Sequence, residues 1–457
     1  MHQARLVLFS VTLWTCVCGC TEPTIRLHHP KQSFSEQTQH ASASFIESSS
    51  NVADDSEMTE PTGVLTLRQA LALTLMKNPV LKVYSLETRA ADARALQRGL
   101  RPNPELGIEI ENAGGTGALS GFDSAETTIA IRQLIELGNK AEKRRKVAAL
   151  EKELAGYDYE ARRIEILTDT GKAFIELLAL QEKTNLLAEL VEVSQQTLGS
   201  VSLRAEAGKD SPLEKTKASV ALSNVQIEYK QALKELEHAK KTLASFWGNE
   251  QPIFTQAQGQ LDAVTDIPEI ETLKQTLMSH PQLARWDTEI ARNKAAAELA
   301  KSESVPDLSI GGGIRRFNEI DDNAFVLGIS IPLPLSDRNQ GGRMEAAATL
   351  SKSYEQQRAA RIAAMNQFDR LYTELSISLD QIKALRASVL PATQELFEAS
   401  QEAYTQGKID YLNVLDAQKT YFVSQTQYLG ALAVYHKAKT DMEGLIGQSI
   451  DQESIQR

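Results

Sequence analysis

The segment TLMKNPVL at residues 74–81 recurs as TLMSHPQL at residues 276–283, 202 positions later, and this recurrence decides the fold prediction. PEL at residues 104–106 recurs as PDL at residues 306–308 with the same offset of 202. Three later matches are offset by 199 positions, namely Gly208-Lys209 with Gly407-Lys408, Leu213 with Leu412, and Gly248 with Gly447. Because the matches keep one order, the chain contains two copies of a unit of about 200 residues.

The repeat predicts how the chain is organised. The predicted segments are a lipoprotein signal peptide at 1–19, a flexible tether at 20–65, a first repeat at 66–250, a connector at 251–267, a second repeat at 268–448 and a tail at 449–457. The tether is rich in Ser, Thr, Gln and His, so it cannot bury enough apolar surface to form a core.

Each repeat has the same order of predicted elements. A short helix ends near Pro79 or Pro281, and a second helix follows at about 80–101 or 282–303. Two stretches of alternating apolar and polar residues come next, joined by loops at 112–124 and 318–323. This period of two predicts one β-hairpin in each repeat.

The longest predicted elements are two helices that follow the hairpins. Residues 139–206 contain no proline and residues 337–406 contain only Pro391, so each could form a helix about 100 Å long. The first carries a heptad seam, which predicts side-by-side coiled-coil packing. The seam consists of Leu177, Leu180, Thr184, Leu187, Val191, Ser194, Leu198 and Val201. Return helices are predicted at 213–247 and 411–446, after turns that begin with Gly208 and Gly407.

The N-terminus predicts export and lipid attachment. Residues 6–17 form an apolar run that is too short to span a bilayer, and it ends in Val-Cys-Gly-Cys20. This ending is similar to a bacterial lipobox, so Cys20 is the predicted lipidation site. An ordinary secretory signal is the alternative.

Composition excludes several classes of protein. The formal net charge of −11 argues against nucleic-acid binding. The only cysteines are Cys16, Cys18 and Cys20, so the folded body has no disulfide, cysteine-based zinc site or cysteine nucleophile. The chain lacks HExxH, P-loop and GxSxG motifs, and we therefore predict no enzyme activity, no cofactor and no bound metal.

Four strands of about ten residues suit an outer-membrane barrel, yet they are too few to close one. An open sheet edge in lipid leaves backbone groups unpaired, so several chains must share one barrel. Two chains would supply eight strands, and three would supply twelve with a lumen.

Motifs at both ends of the long helices resemble the TolC-like outer-membrane efflux proteins, across about 66–448. Four of these motifs are most similar to the CzcC-type branch of the family, which exports heavy-metal cations. They are LGNK at 137–140, PLPLSDRNQG at 332–341, AGKDSPL at 207–213 and GKIDYLNVLDAQ at 407–418. The resemblance implies a mainly α fold: a homotrimer with a 12-stranded β-barrel and a 12-helix coiled-coil α-barrel. It places helices 80–101 and 213–247 end to end beside one long helix.

The resemblance also implies partners and a location. The chain would form the exit duct of a tripartite system, with a periplasmic adaptor and an inner-membrane RND pump. It would be lipid-anchored in the outer membrane of a Gram-negative bacterium and would extend into the periplasm. The expected cargo is a heavy-metal cation such as cobalt, zinc, cadmium, copper or silver.

Several residues receive roles from the resemblance. Asp416 matches an acid that rings the narrow periplasmic end; Asn413 replaces the second family acid, and Asp410 could substitute for it. Tyr404 matches a position that helps to hold the tips closed. The expected adaptor contacts are Gly208, Lys209, Gly407 and Lys408, and the barrel-to-helix transitions are Gly138, Pro332, Pro334, Arg338, Asn339 and Gly341.

Other functions stay open at this stage. A duct for organic drugs has the same architecture, because a duct need not coordinate its cargo. A periplasmic coiled-coil adaptor would explain the long helices but not four alternating strands.

Overall fold

The computed structural model describes residues 59–278 and 281–450 of the chain. The predicted signal peptide, Cys20 and residues 20–58 of the predicted tether lie outside these ranges. The first half contains β1 (Val64–Thr66), α1 (Leu67–Lys77), α2 (Pro79–Gly99), β2 (Glu105–Glu111), β3 (Glu126–Ile135), α3 (Lys140–Glu206) and α4 (Pro212–Ser245). The second half contains β4 (Gln256–Gln258), α5 (Ile270–Met278), α6 (Pro281–Ser302), β5 (Leu308–Phe317), β6 (Asp322–Ser330), α7 (Gln340–Ala384), α8 (Leu390–Thr405) and α9 (Tyr411–Ile446).

Two long struts organise the helices. Both α2 and α4 pack along α3, so they stack end to end beside it, as predicted. Their ends meet where the Asn78 side-chain amide donates to the Phe246 carbonyl at 2.7 Å. On the other side of α3, α6 and α9 fill the space between α3 and the strut formed by α7 and α8. Five of the eight residues of the predicted heptad seam are buried, and the other three, Leu180, Val191 and Leu198, are half-buried.

The second strut is not one continuous helix, and Pro391 is the residue in the sequence that signals the interruption. A π turn at Leu385–Val389 separates α7 from α8, and Pro391 is the second residue of α8. Proline lacks the N–H of the helical ladder and its ring crowds the preceding turn. The π turn accommodates this disruption without ending the strut.

The two hairpins form one antiparallel sheet in the order β2-β3-β5-β6. One face carries a stripe of apolar side chains exposed in the single chain, with Phe325 and Leu327 88% and 87% exposed. The other face carries Glu109, Arg132 and Arg315, as the alternation predicts. The alternation of Phe325, Leu327 and Ile329 continues in the sequence to Ile331 and Leu333, but β6 ends at Ser330. Pro332 and Pro334, which cannot donate to a ladder, follow that end.

A second layer packs on the middle of the helices, which we call the equatorial layer and define as β1, α1, β4 and α5 with residues 251–267. The strands β1 and β4 pair in parallel, and Leu65 is fully buried between the layers. The carboxylate of Glu60 accepts hydrogen bonds from the Trp247 indole at 3.0 Å and from the Ile253 backbone at 2.8 Å. The predicted tether therefore extends too far, because its last residues belong to this layer.

The main hydrophobic core lies between the equatorial layer and the helices, around Leu177, Leu243, Phe368, Tyr435 and Met442. No helix within the described ranges combines the length and the hydropathy needed to cross a membrane.

Candidate functional site

The two helical hairpins end side by side at tips built in the same way. Gly208 and Gly407 have φ angles of +71° and +73°, a conformation that favours glycine over other residues. At each tip the following lysine N–H bonds back to a carbonyl five residues earlier, Lys209 to Arg204 and Lys408 to Ala403, both at 2.9 Å. This is the Schellman arrangement that ends a helix. Both lysine side chains belong to exposed residues, so they are available to a partner.

A network of three side chains joins the tips. The Arg204 guanidinium donates to both carboxylate oxygens of Asp210, at 2.9 and 3.1 Å, and to the Tyr404 carbonyl at 3.2 Å. It also stacks over the Tyr404 ring, 4.6 Å from the centroid. The Tyr404 hydroxyl donates to Asp210 at 2.5 Å. We call these three residues the tip clasp.

The clasp has clear electrostatic consequences. Hydrogen bonding from Arg204 lowers the pKa of the Asp210 carboxyl, so the carboxylate is ionised at neutral pH. Burial and the neighbouring Asp210 raise the pKa of the Tyr404 hydroxyl, which keeps its proton and remains a donor. The pair therefore has the charge-assisted geometry that makes hydrogen bonds strong.

An apolar cluster supports the clasp from within. Tyr411, at the start of α9, is buried, and its ring centroid lies 6.1 Å from that of Tyr404. Val201 of α3 and Val414 of α9 belong to the same cluster. Tip positions are thus fixed by packing as well as by hydrogen bonds.

The predicted acidic residues lie at the same end of the molecule. Asp410, Asn413 and Asp416 are all exposed. Asp410 occupies the cap position of α9 but makes no capping bond with its side chain. Asp416 is the sixth residue of α9, beyond the first turn in which the helix dipole favours a carboxylate.

The first tip contributes a further acid that the sequence analysis missed. Burial, Asp210 and Asp410 together raise the pKa of Glu214. Glu214 and Asn413 are equivalent positions of the two repeats, because they are 199 residues apart. The first tip therefore has an acid at the position where the second tip has an asparagine. The offset of 199 is the signal that could have identified it. The sequence analysis also did not identify the ion pair between Arg204 and Asp210.

At the other end, the predicted transition residues lie at the junctions between strands and helices. Asn339 takes a left-handed conformation and its amide donates to the Ala300 carbonyl at 2.8 Å. The Arg338 guanidinium donates to the Pro334 carbonyl at 3.2 Å, and Pro332 follows the end of β6. Space is open around Gly341, and the neighbouring Gly342 is the position where a side chain would collide with Asn339.

The first junction is held by an ion pair. Gly138 lies against Val305, and the next helix begins with Lys140. The buried Lys140 ammonium bonds the Asp307 carboxylate at 2.8 Å, and the same carboxylate accepts the Leu137 N–H at 3.0 Å. The ion pair connects the start of α3 to the chain that leads into β5.

The family model described as "Outer membrane efflux protein" matches residues 70–249 and 272–448. The chain belongs to the outer membrane efflux protein family. Members of this family are transport channels, and the predicted membership of the TolC-like group is confirmed.

Individual relatives agree with this membership. The cobalt-zinc-cadmium resistance protein CzcC of Cupriavidus metallidurans is 32% identical over 389 residues, covering 85% of this chain and 91% of the relative. The nickel and cobalt resistance protein CnrC of the same organism is 22% identical over 300 residues, covering 65% of this chain and 69% of the relative. The CmeC outer membrane channel of Campylobacter jejuni superposes with a TM-score of 0.73 at 16% identity, covering 85% of this chain and 88% of that one. The predicted fold class is therefore confirmed for the single efflux-protein chain.

Within the described parts of this efflux protein, no group of three or more His, Cys, Asp or Glu side chains is arranged to hold a metal ion. Asp410 and Asp416 are exposed on the surface of one chain, and Asp410 lies close enough to Glu214 to raise the pKa of its carboxyl.

Proposed function

We propose that three copies of this chain form a duct through the outer membrane that exports divalent heavy-metal cations. The observation that carries the proposal is the 32% identity to a cobalt-zinc-cadmium resistance protein over 85% of the chain. An RND-type inner-membrane pump and a periplasmic adaptor would supply the cargo. Residues 66–250 and 268–448 are the two repeats that build each third of the duct, joined by the connector at 251–267.

The sheet supports assembly from several chains. Both β2 and β6 are edge strands, and the apolar face that they share is exposed in a single chain. Unpaired edges are very unfavourable in lipid, so β6 of one copy would pair with β2 of the next. Three copies of four strands give a 12-stranded barrel with a wet lumen.

The helices would continue the barrel into the periplasm. In this arrangement α3 and the strut of α7 and α8 are the long staves, and the tips are the entrance. Lys209 and Lys408, beside Gly208 and Gly407, would contact the adaptor. Tyr404 would hold the entrance closed through the tip clasp.

The tip acids would act on the cargo. Threefold symmetry would place three copies each of Asp410 and Asp416, with Glu214 nearby, around a narrow opening, and Asn413 would contribute polar groups. Like charges at a constriction concentrate cations and reject anions. No coordination cage is required, because a duct must release what it attracts.

We further propose that Cys20 is acylated after removal of residues 1–19. Acylation would anchor the chain in the periplasm-facing leaflet of the outer membrane. A Cys20→Ser variant grown with labelled fatty acid should remain unlabelled, and labelling of that variant would contradict the assignment.

Growth on metal salts tests the function. A host that carries a metal-type pump and adaptor but lacks their duct should regain resistance to cobalt, zinc and cadmium when it expresses this chain. Resistance to dyes and detergents in place of metals would assign the duct to organic cargo. A variant with Gly208 and Gly407 both changed to Val distorts the tips and should restore neither resistance.

A further inference from the structure

The junction between α2 and α3 carries an excess of positive charge. Residues 98–104 and 136–146 together have a formal charge of +5. The matching residues of the second repeat, 300–306 and 336–346, have a formal charge of 0. The two junctions have the same local architecture, so the repeat itself does not require these cations.

Four of the cations are available to a partner. Lys140 and Arg144 are neutralised by Asp307 and Glu136 respectively. Within the ranges that the structure describes, the remaining exposed cations have no ion pair: Arg98, Arg101, Arg145 and Lys146. We call these four residues the basic patch.

The patch is continuous across the two helices. The Arg145 side chain lies along Gly99, where an added Cβ would be 3.4 Å from the arginine Cδ. Arg145 therefore lies next to the end of α2, which carries Arg98 and is followed by Arg101. Leu96 and Leu100 are 70% and 52% exposed and flank the same arginines. Such a mixture of leucine and arginine suits the boundary between acyl chains and head groups.

The basic patch would lie at the depth of the lipid head groups on the periplasmic side of the membrane. Arg101 precedes β2 by only four residues, and Arg145 is about 7.5 Å along α3 from its first residue. The head-group region extends some 5–8 Å beyond the hydrocarbon on each side. Arginine and lysine side chains are long enough to reach the phosphates from below.

The patch also faces the outside of the duct. We infer that Arg145, which is exposed and lies beside the end of α2, is on the side of α3 that also carries the equatorial layer. The Gln181 amide bonds both the N–H and the carbonyl of Ala257 in the equatorial layer, at 2.7 and 2.9 Å. That layer must lie outside the tube, because inside it would block the lumen.

We propose that the basic patch binds the anionic head groups of phospholipids in the periplasm-facing leaflet of the outer membrane. The inference rests on the proposed function, since it needs the strands to lie in that membrane. Each lysine or arginine near an anionic surface contributes to binding, so four of them would favour phosphatidylglycerol over a zwitterionic lipid. The second junction, with its balanced charges, would not contribute.

Thermal unfolding of the purified full-length trimer tests the proposal. Phosphatidylglycerol added to the detergent-solubilised protein should raise Tm, whereas phosphatidylcholine should not, and the increase should disappear in high salt. The variant R98Q/R101Q/R145Q/K146Q should need at least about tenfold more phosphatidylglycerol for half of the effect. The matched control K301Q/R343Q changes cations at the same level of the second repeat and should respond like the wild type.

Three results would overturn the proposal. They are an equal response to both lipids, an unchanged response of the fourfold variant, and a response to free inorganic phosphate that equals the response to the lipid. A variant with lysine at Arg98, Arg101 and Arg145 keeps the charge and should retain lipid binding if the fourfold variant folds poorly. Channel conductance of the trimer in a planar bilayer is independent of the patch, so failure here leaves the proposed function intact.

Discussion

The hydroxyl of Tyr404 and the carboxylate of Asp210, 194 positions apart in the chain, form a hydrogen bond of 2.5 Å that joins the two hairpin tips. Both groups are largely enclosed, and Arg204 covers them from one side. The bond connects the start of α4 to the end of α8, so the tips of one chain cannot separate without breaking it.

Removing this hydroxyl should loosen the entrance. In Tyr404→Phe the ring still fills its site, but Asp210 loses one donor, which costs about 1.5–3 kcal/mol for a bond to a charged group. We expect single-channel conductance of the trimer to rise. Tyr411→Phe is the control, because the Tyr411 hydroxyl has no hydrogen-bond partner among the described residues. If Tyr404→Phe and Tyr411→Phe have the same single-channel conductance, the tip clasp does not hold the tips closed.

The raised pKa of Glu214 should make the stability of the fold depend on pH. Its pKa is raised in the fold, from an ordinary value of 4.5, so the folded state disfavours the carboxylate. The resulting destabilisation is fully present above the raised pKa and absent below about 4.5. Glu214→Gln should therefore raise Tm at pH 7–8, and the gain should vanish as the pH falls below 4.5. Melting curves across this range check it, with Glu228→Gln, further along the same helix, as the control.

Asp210 should behave in the opposite way. Its pKa is lowered by Arg204, so the stability that it contributes is complete above its ordinary value of 3.8 and is lost as the pH falls through the lower folded value. Asp210→Asn should thus be less stable than the wild type at neutral pH, and the difference should shrink only in strong acid. If the stability difference between the wild type and Asp210→Asn disappears already between pH 7 and pH 5, a group other than Asp210 controls the pH dependence.

The sheet register predicts which face meets lipid. Leu327 lies on the apolar face and near the middle of β6, whereas the adjacent Val326 lies on the opposite face. Leu327→Lys should destabilise the membrane-embedded trimer by about 2–4 kcal/mol, and Val326→Lys should have a much smaller effect. The fraction of trimer that survives heating in detergent measures both. Similar losses in the two variants would contradict the register. Ile329, one residue from the strand end, is a less sensitive position.

Cation preference tests the acidic entrance. Asp416→Asn removes three charges from the proposed constriction of the trimer, so cation selectivity and block by a trivalent cation from the periplasmic side should both weaken. Glu109→Gln, on strand β2 and far from the tips, should change neither the cation selectivity nor the block. If selectivity is unchanged with the trimer intact, Asp410 and Glu214 become the residues to vary next.

Much of this fold follows from periodicity. The hairpins and long helices were predictable because alternation and heptads extend over many residues. The pair β1 and β4 was missed because strands of three residues show no alternation. The π turn was not predicted either, since Pro391 signals a disruption but not its form. The clasp depends on contacts nearly 200 positions apart, which only an alignment of the two repeats brings together.

The central seam between β3 and β5 has a consequence for assembly. It joins the two repeats within one chain, and in a closed ring the junction of β6 with β2 of the next copy would be its counterpart. A ring of three chains would have six seams between hairpins, of which three are β3–β5 pairs within a chain and three are β6–β2 pairs between chains. The three seams within chains form without the loss of translational freedom that joining separate molecules requires. A chain severed between its repeats would have to collect six fragments rather than three, so its assembly should depend far more steeply on concentration.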